Sequence, residues 1–202
     1  MEEAKNICNN FLTDLDGFLR DNLDNLTCSD INNIYSNFYE DLKDYKGNAN
    51  GFTGLSEFII FRFILNMLGG SFDKKQETTY LYSFESKDKK YRIGENLPVF
   101  IGSKKYVPDI TIYKNDVPIL VIEIKLYLTN GIKTLMDDIN KLNSITSEYP
   151  DTKGLFICYN KIPEKGKIYK RLTEETNSNN KLDYIILNEN SLLFKDSLKK
   201  HI

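Results

Sequence analysis

The sequence predicts an α/β protein, a mixed central sheet flanked by helices, with a helical extension at its N-terminus. Three observations predict it. Apolar residues recur at helical spacing through the first 45 residues and again after residue 131. The segments 106–113 and 117–126 read as adjacent strands. From there to the C-terminus, helical and strand-like stretches alternate, as they do where helices cover both faces of a sheet.

Taken in order, Ile7, Phe11, Leu15, Phe18, Leu19 and Leu23 form the stripe of a first helix. Thr27-Cys28-Ser29-Asp30 offers N-cap residues for a second, striped by Ile31, Ile34, Tyr35, Phe38, Leu42 and Tyr45. Both stripes need a surface, and packing on this chain's own core is the expectation. Residues 46–51 read as a loop, dividing the extension (1–50) from the core (51–202). A third helix, about Thr53 to Leu68, is apolar nearly all round and should be buried; Gly69-Gly70 ends it. Residues 79–84 are one strand candidate and Tyr106–Tyr113 a better one. Lys114-Asn115-Asp116 makes a tight connection into Val117–Leu126, the strongest strand in the chain. An amphipathic helix follows, with Ile132, Leu135, Met136, Ile139, Leu142 and Ile145 on one face. Then come a strand over 153–159, a short helix over 163–176, a strand over 183–187 and a terminal helix from Ser191.

The composition narrows the chemistry. With 202 residues, 41% hydrophobic and 28% charged, the chain can bury a sizeable core. No apolar run approaches the ~20 residues of a membrane span; the longest, Phe58–Leu68, contains Arg62 and Asn66. The start, Met1-Glu2-Glu3-Ala4-Lys5, does not read as a signal peptide, so a cytoplasmic protein without membrane partners is expected. Cys8, Cys28 and Cys158 are too few and too widely spaced for a disulfide framework or a zinc site, and Cys158 reads as core. The single histidine, His201, stands at a terminus expected to fray, which excludes Ser-His-Asp, Cys-His and His-rich metal chemistry. Residues 1–45 carry ten acids and three bases, a net −7, and the remainder a net +5, a balance compatible with holding a polyanion or with an ordinary surface.

The informative residues are Pro108-Asp109-Ile110-Thr111-Ile112 and Ile122-Glu123-Ile124-Lys125. Side chains alternate across a strand, so Glu123 and Lys125 share one face and Ile122 and Ile124 the other. An acid and a base on an interior strand are costly unless paired or bound to an ion. Asp109, across a short turn, can approach Glu123 if the strands pair. Two carboxylates held together repel, and a hard divalent cation would relieve the repulsion.

Pro108-Asp109, thirteen intervening residues and Glu123-Ile124-Lys125 resemble the signature of the PD-(D/E)XK nuclease superfamily, and the inferred element order over residues 53–188 resembles its restriction-endonuclease-like αβββαβ core. The resemblance implies a metal-dependent nuclease hydrolysing phosphodiester bonds, endonucleolytic and acting on DNA in preference to RNA, with Mg²⁺ or Mn²⁺ as cofactor. It implies Asp109, Glu123 and the Ile124 backbone carbonyl as metal ligands and Lys125 as the residue that positions the attacking water. Family members often add an acid from the first core helix, a position matched by Glu57; the helix dipole is the other reason for an acid there. Asp137, Asp138 and Lys141 lie opposite the apolar stripe of the following helix, where a solvated face is expected although Lys141 could meet phosphate. That helix lacks the Gln-x-x-x-Tyr of RecB-like exonucleases. Arg62, Lys104, Lys105, Lys133, Lys161, Lys165, Lys167, Lys170 and Arg171 could contact phosphates. The alternative is a catalytically silent nucleic-acid-binding or assembly protein on the same fold, with the N-terminal helices as a homodimer interface.

Overall fold

The computed structural model describes residues 2–46, 54–70, 83–86, 90–126, 131–159, 166–188 and 190–202. Its elements run α1 (Glu2–Asp21), α2 (Cys28–Lys46), α3 (Gly54–Met67), β1 (Ser83–Glu85), β2 (Tyr91–Glu95), β3 (Val99–Ile101), β4 (Lys104–Tyr106), β5 (Ile110–Lys114), β6 (Val117–Lys125), α4 (Ile132–Glu148), β7 (Lys153–Cys158), α5 (Lys167–Ser178), β8 (Leu182–Ile186) and α6 (Phe194–Lys199). A six-stranded sheet in the order β1-β2-β5-β6-β7-β8 divides the molecule. Strands β1, β2, β5 and β6 pair antiparallel, whereas β6, β7 and β8 pair parallel through the helical crossovers α4 and α5. The α/β class and the mixed sheet with helices on both faces agree with the sequence expectation.

Alternation along β6 and β7 sends side chains into two cores. Ile122, Ile124, Leu155 and Ile157 join Ile93, Ile110 and Ile112 on the face covered by α1, α2, α3 and α6. Val121, Phe156 and Cys158 face α4 and α5, with Leu135, Ile139, Leu142 and Leu172. Helix α3 is the centre of the first core: Ile59, Ile60, Phe63, Ile64 and Leu65 are wholly buried. Each contributes about 1.5–3 kcal/mol relative to an exposed side chain. Helices α1 and α2 share this core through Leu19, Cys28, Ile31 and Tyr35. The start of α2 is fixed by a reciprocal cap: Thr27 Oγ1 accepts from the Asp30 N–H, and Asp30 Oδ2 accepts from the Thr27 N–H.

Several expectations need correction. The single strand expected over 106–113 is two strands, because Tyr106 ends the β3–β4 hairpin and β5 begins only at Ile110. That hairpin packs Val99, Ile101 and Tyr106 onto the α4 core. Of the strand expected over 79–84, only Ser83 and Phe84 fall within the described residues, in β1. Arg62 is not available to phosphate: it is 2% exposed, and its Nε donates to Asp16 Oδ1 at 2.6 Å, tying α3 to α1. The C-terminus is not frayed: His201 is buried beside Asp183, and its backbone N–H donates to Leu198. Lys161 and Lys165 lie outside the described residues.

The β5–β6 hairpin carries the features that matter for function. Asn115 and Asp116 both have positive φ, 52° and 62°, as a two-residue hairpin turn requires. One irregularity interrupts the ladder: Tyr113 faces Pro118, but Ile112 faces Leu120, so Ile119 is the extra residue of a β-bulge on β6.

Candidate active site

Strand β6 continues past the beginning of its neighbour. Ile110 pairs with Ile122, so continuing the register sets Asp109 opposite Glu123. Asp109 itself lies in a bend just before β5, not on the strand as expected. Because β5 has not yet begun there, the Ile124 N–H has no ladder partner on that side. It donates instead to Asp109 Oδ2 at 2.6 Å. A strand residue's N–H and C=O point the same way, so the Ile124 carbonyl is directed toward the Asp109 side as well. The Asp109 carbonyl accepts from the Asn96 N–H at 2.9 Å, which anchors the bend to the end of β2.

On the α4 side of the sheet, Glu123 and Lys125 meet two residues of α4. Lys141 Nζ donates to Glu123 Oε1 at 2.7 Å and to the Val107 carbonyl at 3.2 Å. Lys125 Nζ lies 3.6 Å from Glu123 Oε2 and 2.8 Å from Asp138 Oδ2. Lys141 Nζ is also 3.4 Å from Asp138 Oδ1. Two acids and two lysines thus alternate in one network. The face expected to be solvated contributes two of its four members, and of the three polar residues only Asp137 is exposed.

On the α3 side the acids are less compensated. Tyr159 Oη donates to the Ser56 carbonyl at 2.8 Å, fixing the first turn of α3 beside the end of β7. Glu57 follows and accepts from the Asn96 side chain. Glu95, the last residue of β2, pairs with Ile110 and stands next to this group. Burial raises the Glu57 pKa, and the charges of Asp109 and Glu95 raise it further. Burial followed by Asp109 raises Glu95. Asp109 is likewise raised by burial, against the Ile124 N–H and the lysines.

Glu123 is the most perturbed carboxylate of the group. Burial and then the Asp109 charge push it to about 8, against the pull of Lys141 and Lys125. For Lys125 burial acts downward, but Asp138 and Glu123 outweigh it and hold the ammonium above its ordinary range. Lys125 is therefore a cation at neutral pH and not a general base. Cys158, paired with Lys125 across β6 and β7, has its thiol pushed up to about 12 by burial and is no nucleophile.

The structure brings Asp109, Glu123 and Lys125 together and sets Glu57 within electrostatic reach of Asp109 and Lys125. Hard oxygen donors suit Mg²⁺ or Mn²⁺, and desolvated acids that raise one another's pKa are the situation a divalent cation relieves. The donor chemistry fits. The geometry is not that of a ready-made cage: among the described residues, no three His, Cys, Asp or Glu side chains are grouped to hold a metal ion. Lysines face both Glu123 oxygens instead.

Sequence reasoning missed Glu95 and gave too little weight to Asp138 and Lys141. Glu95 could be found only by knowing that β2 pairs with β5. The signal for the other two was present, since Asp138 and Lys141 stand one helical turn apart on the α4 flank nearest the Glu-x-Lys strand. Of the basic residues offered for phosphate, Lys104, Lys105, Lys133, Lys167 and Lys170 are exposed, while Arg171 is engaged by Glu175. No family model, curated protein or solved structure matches this chain.

Proposed function

We propose that the protein is a metal-dependent nuclease with a restriction-endonuclease-like core, acting endonucleolytically on DNA. The observation that carries the proposal is the convergence of Asp109, Glu123 and Lys125 where β6 outruns β5, with Glu57 nearby on α3. The order α3, β2, β5, β6, α4, β7 supports the αβββαβ assignment. Asp109, Glu123, the Ile124 carbonyl and Glu57 would hold Mg²⁺ or Mn²⁺. Such an ion, when bound, polarises a phosphate and acidifies water. Lys125, charged at neutral pH and 20% exposed, presents its ammonium to the attacking water and to a phosphate oxygen. The bend at Asp109 holds the carboxylate through the Ile124 N–H, so its orientation is set before any ligand arrives.

The test is cleavage of plasmid DNA, and of RNA in parallel, with Mg²⁺ or Mn²⁺. Asp109→Ala, Glu123→Ala and Lys125→Ala are each expected to lower the rate about a hundredfold or more while circular dichroism stays that of the parent. Parent-like rates in all three would overturn the proposal.

One observation favours a second reading. With Glu123 ionised, the Glu123, Lys125, Asp138 and Lys141 network is neutral by itself and needs no metal, as in a catalytically silent nucleic-acid-binding or assembly protein. That reading expects DNA retention without cleavage, unchanged by Mn²⁺. A homodimer through α1 belongs to either reading, because Phe11 and Phe18 are 43% and 48% exposed on that helix. The solution mass from light scattering, compared with that of Phe18→Glu, tests it.

A further inference from the structure

The shortest contact to Glu123 comes from a lysine outside the Asp109, Glu123, Lys125 set. Lys141 Nζ sits 2.7 Å from Glu123 Oε1. Glu123 is 1% exposed, so when it is ionised this ammonium supplies the counter-charge that burial demands. Lys125 faces the other oxygen at 3.6 Å and has its closer partner in Asp138 at 2.8 Å. Lys141 also keeps two further acceptors, the Val107 carbonyl at 3.2 Å and Asp138 Oδ1 at 3.4 Å.

A cation taking a Glu123 oxygen meets a positive charge already there. Two cations on one buried carboxylate repel strongly where the dielectric is low. Lys141 can leave Glu123 without losing all its acceptors, because a small shift leaves it on Asp138 and Val107. Asp138 is buried, and among the described residues it is the only carboxylate besides Glu123 that both lysines contact.

We infer that Lys141 is an internal counter-ion that occupies the cation's place on Glu123, and that cation binding transfers its ammonium to Asp138 and the Val107 carbonyl. The inference rests on the nuclease reading, since it takes Glu123 as a metal ligand. It assigns Lys141 as a positioning residue that sets metal affinity, and Asp138 as the acceptor that makes the transfer possible. Metal-free and metal-bound states then share one framework, with the same number of charges in the network apart from the ion.

The test follows Mn²⁺ binding to the full chain by calorimetric titration and by the electron paramagnetic resonance of free Mn²⁺, with no nucleic acid present. Lys141→Met and Lys141→Gln remove the competing charge and are expected to bind Mn²⁺ about tenfold more tightly than the parent, the order expected when a charge-assisted bond no longer has to be broken. Lys141→Arg should bind like the parent. Asp138→Asn, which takes away the receiving carboxylate, should bind several-fold more weakly, and it decides the question if the neutral Lys141 variants do not fold. Equal or weaker binding by both neutral variants, with binding by the parent intact, overturns the inference and leaves the nuclease reading standing. No Mn²⁺ uptake by the parent or any variant overturns both.

Discussion

The two flanks of the candidate site solve the same problem differently. On the α4 flank, Glu123 and Asp138 are buried against Lys125 and Lys141, and once Glu123 is ionised the four charges cancel. On the α3 flank, Glu57 and Glu95 are desolvated next to Asp109, and the nearest strong influences are one another's charges. The first flank is complete as it stands. The second has excess negative charge, and Asp109, in the bend just before β5, belongs to both. A site with one balanced and one unbalanced flank is stable without ligand yet retains a reason to take up a cation.

Breaking the balanced flank should have the largest effect on stability. Lys125→Met leaves two buried acids on one ammonium, and the expected loss is about 3–5 kcal/mol in urea unfolding. A change below about 0.5 kcal/mol, typical of a surface site, would show that the network is not the buried ion cluster described.

The next effect is on pH dependence. The Glu123 pKa is raised to about 8 from an ordinary 4.5. The folded state therefore holds this proton through a window in which the unfolded chain has lost it. The stabilisation is complete below about 4.5 and disappears as pH rises through about 8, and the raised Glu57, Glu95 and Asp109 act in the same direction. Without metal, stability should fall between pH 5 and pH 8 by something on the order of 2–3 kcal/mol. In Glu123→Gln most of that slope should vanish, and an unchanged slope would assign the titration elsewhere.

The smallest effect sharpens the comparison from the α3 flank. Glu95→Gln removes one of the mutually repelling acids and should stabilise the metal-free protein at pH 8 by about 1 kcal/mol. The same variant should be stabilised less than the parent by millimolar Mn²⁺ in thermal unfolding. Destabilisation by Glu95→Gln would mean that Glu95 has a favourable partner and that the flank is not charge-deficient.

The division between the flanks was only half legible in the sequence. Asp109, Glu123 and Lys125 stood out because an interior strand is otherwise apolar, and the two-residue turn at Asn115-Asp116 fixed which strands pair. Glu57 stood out for the same reason on an apolar helix. Glu95 did not, because β2 is short and its pairing with β5 leaps over the β3–β4 hairpin. Arg62 was misjudged because its partner Asp16 is 46 residues away on another helix, and no local pattern reports such a pair. Lys141 and Asp138 carried ordinary helix-surface spacing, and only the crossover of α4 onto the sheet shows that their side faces Glu123.

The bulge at Ile119 has a consequence for how this site tolerates insertion and deletion. Near the turn, Tyr113 faces Pro118; were that register to continue unbroken, Asp109 would stand opposite Ile122, and Glu123 would point to the other face of the sheet. The one extra residue moves the count by one and sets Asp109 and Glu123 on the same face. The bulge is therefore what reconciles an odd count, the thirteen residues between Asp109 and Glu123, with their pairing across a two-residue turn. Deleting Ile119 alone would turn the bulge into a regular ladder and leave Asp109 opposite Glu123, whereas losing the bulge with every residue kept would part the two carboxylates across the sheet.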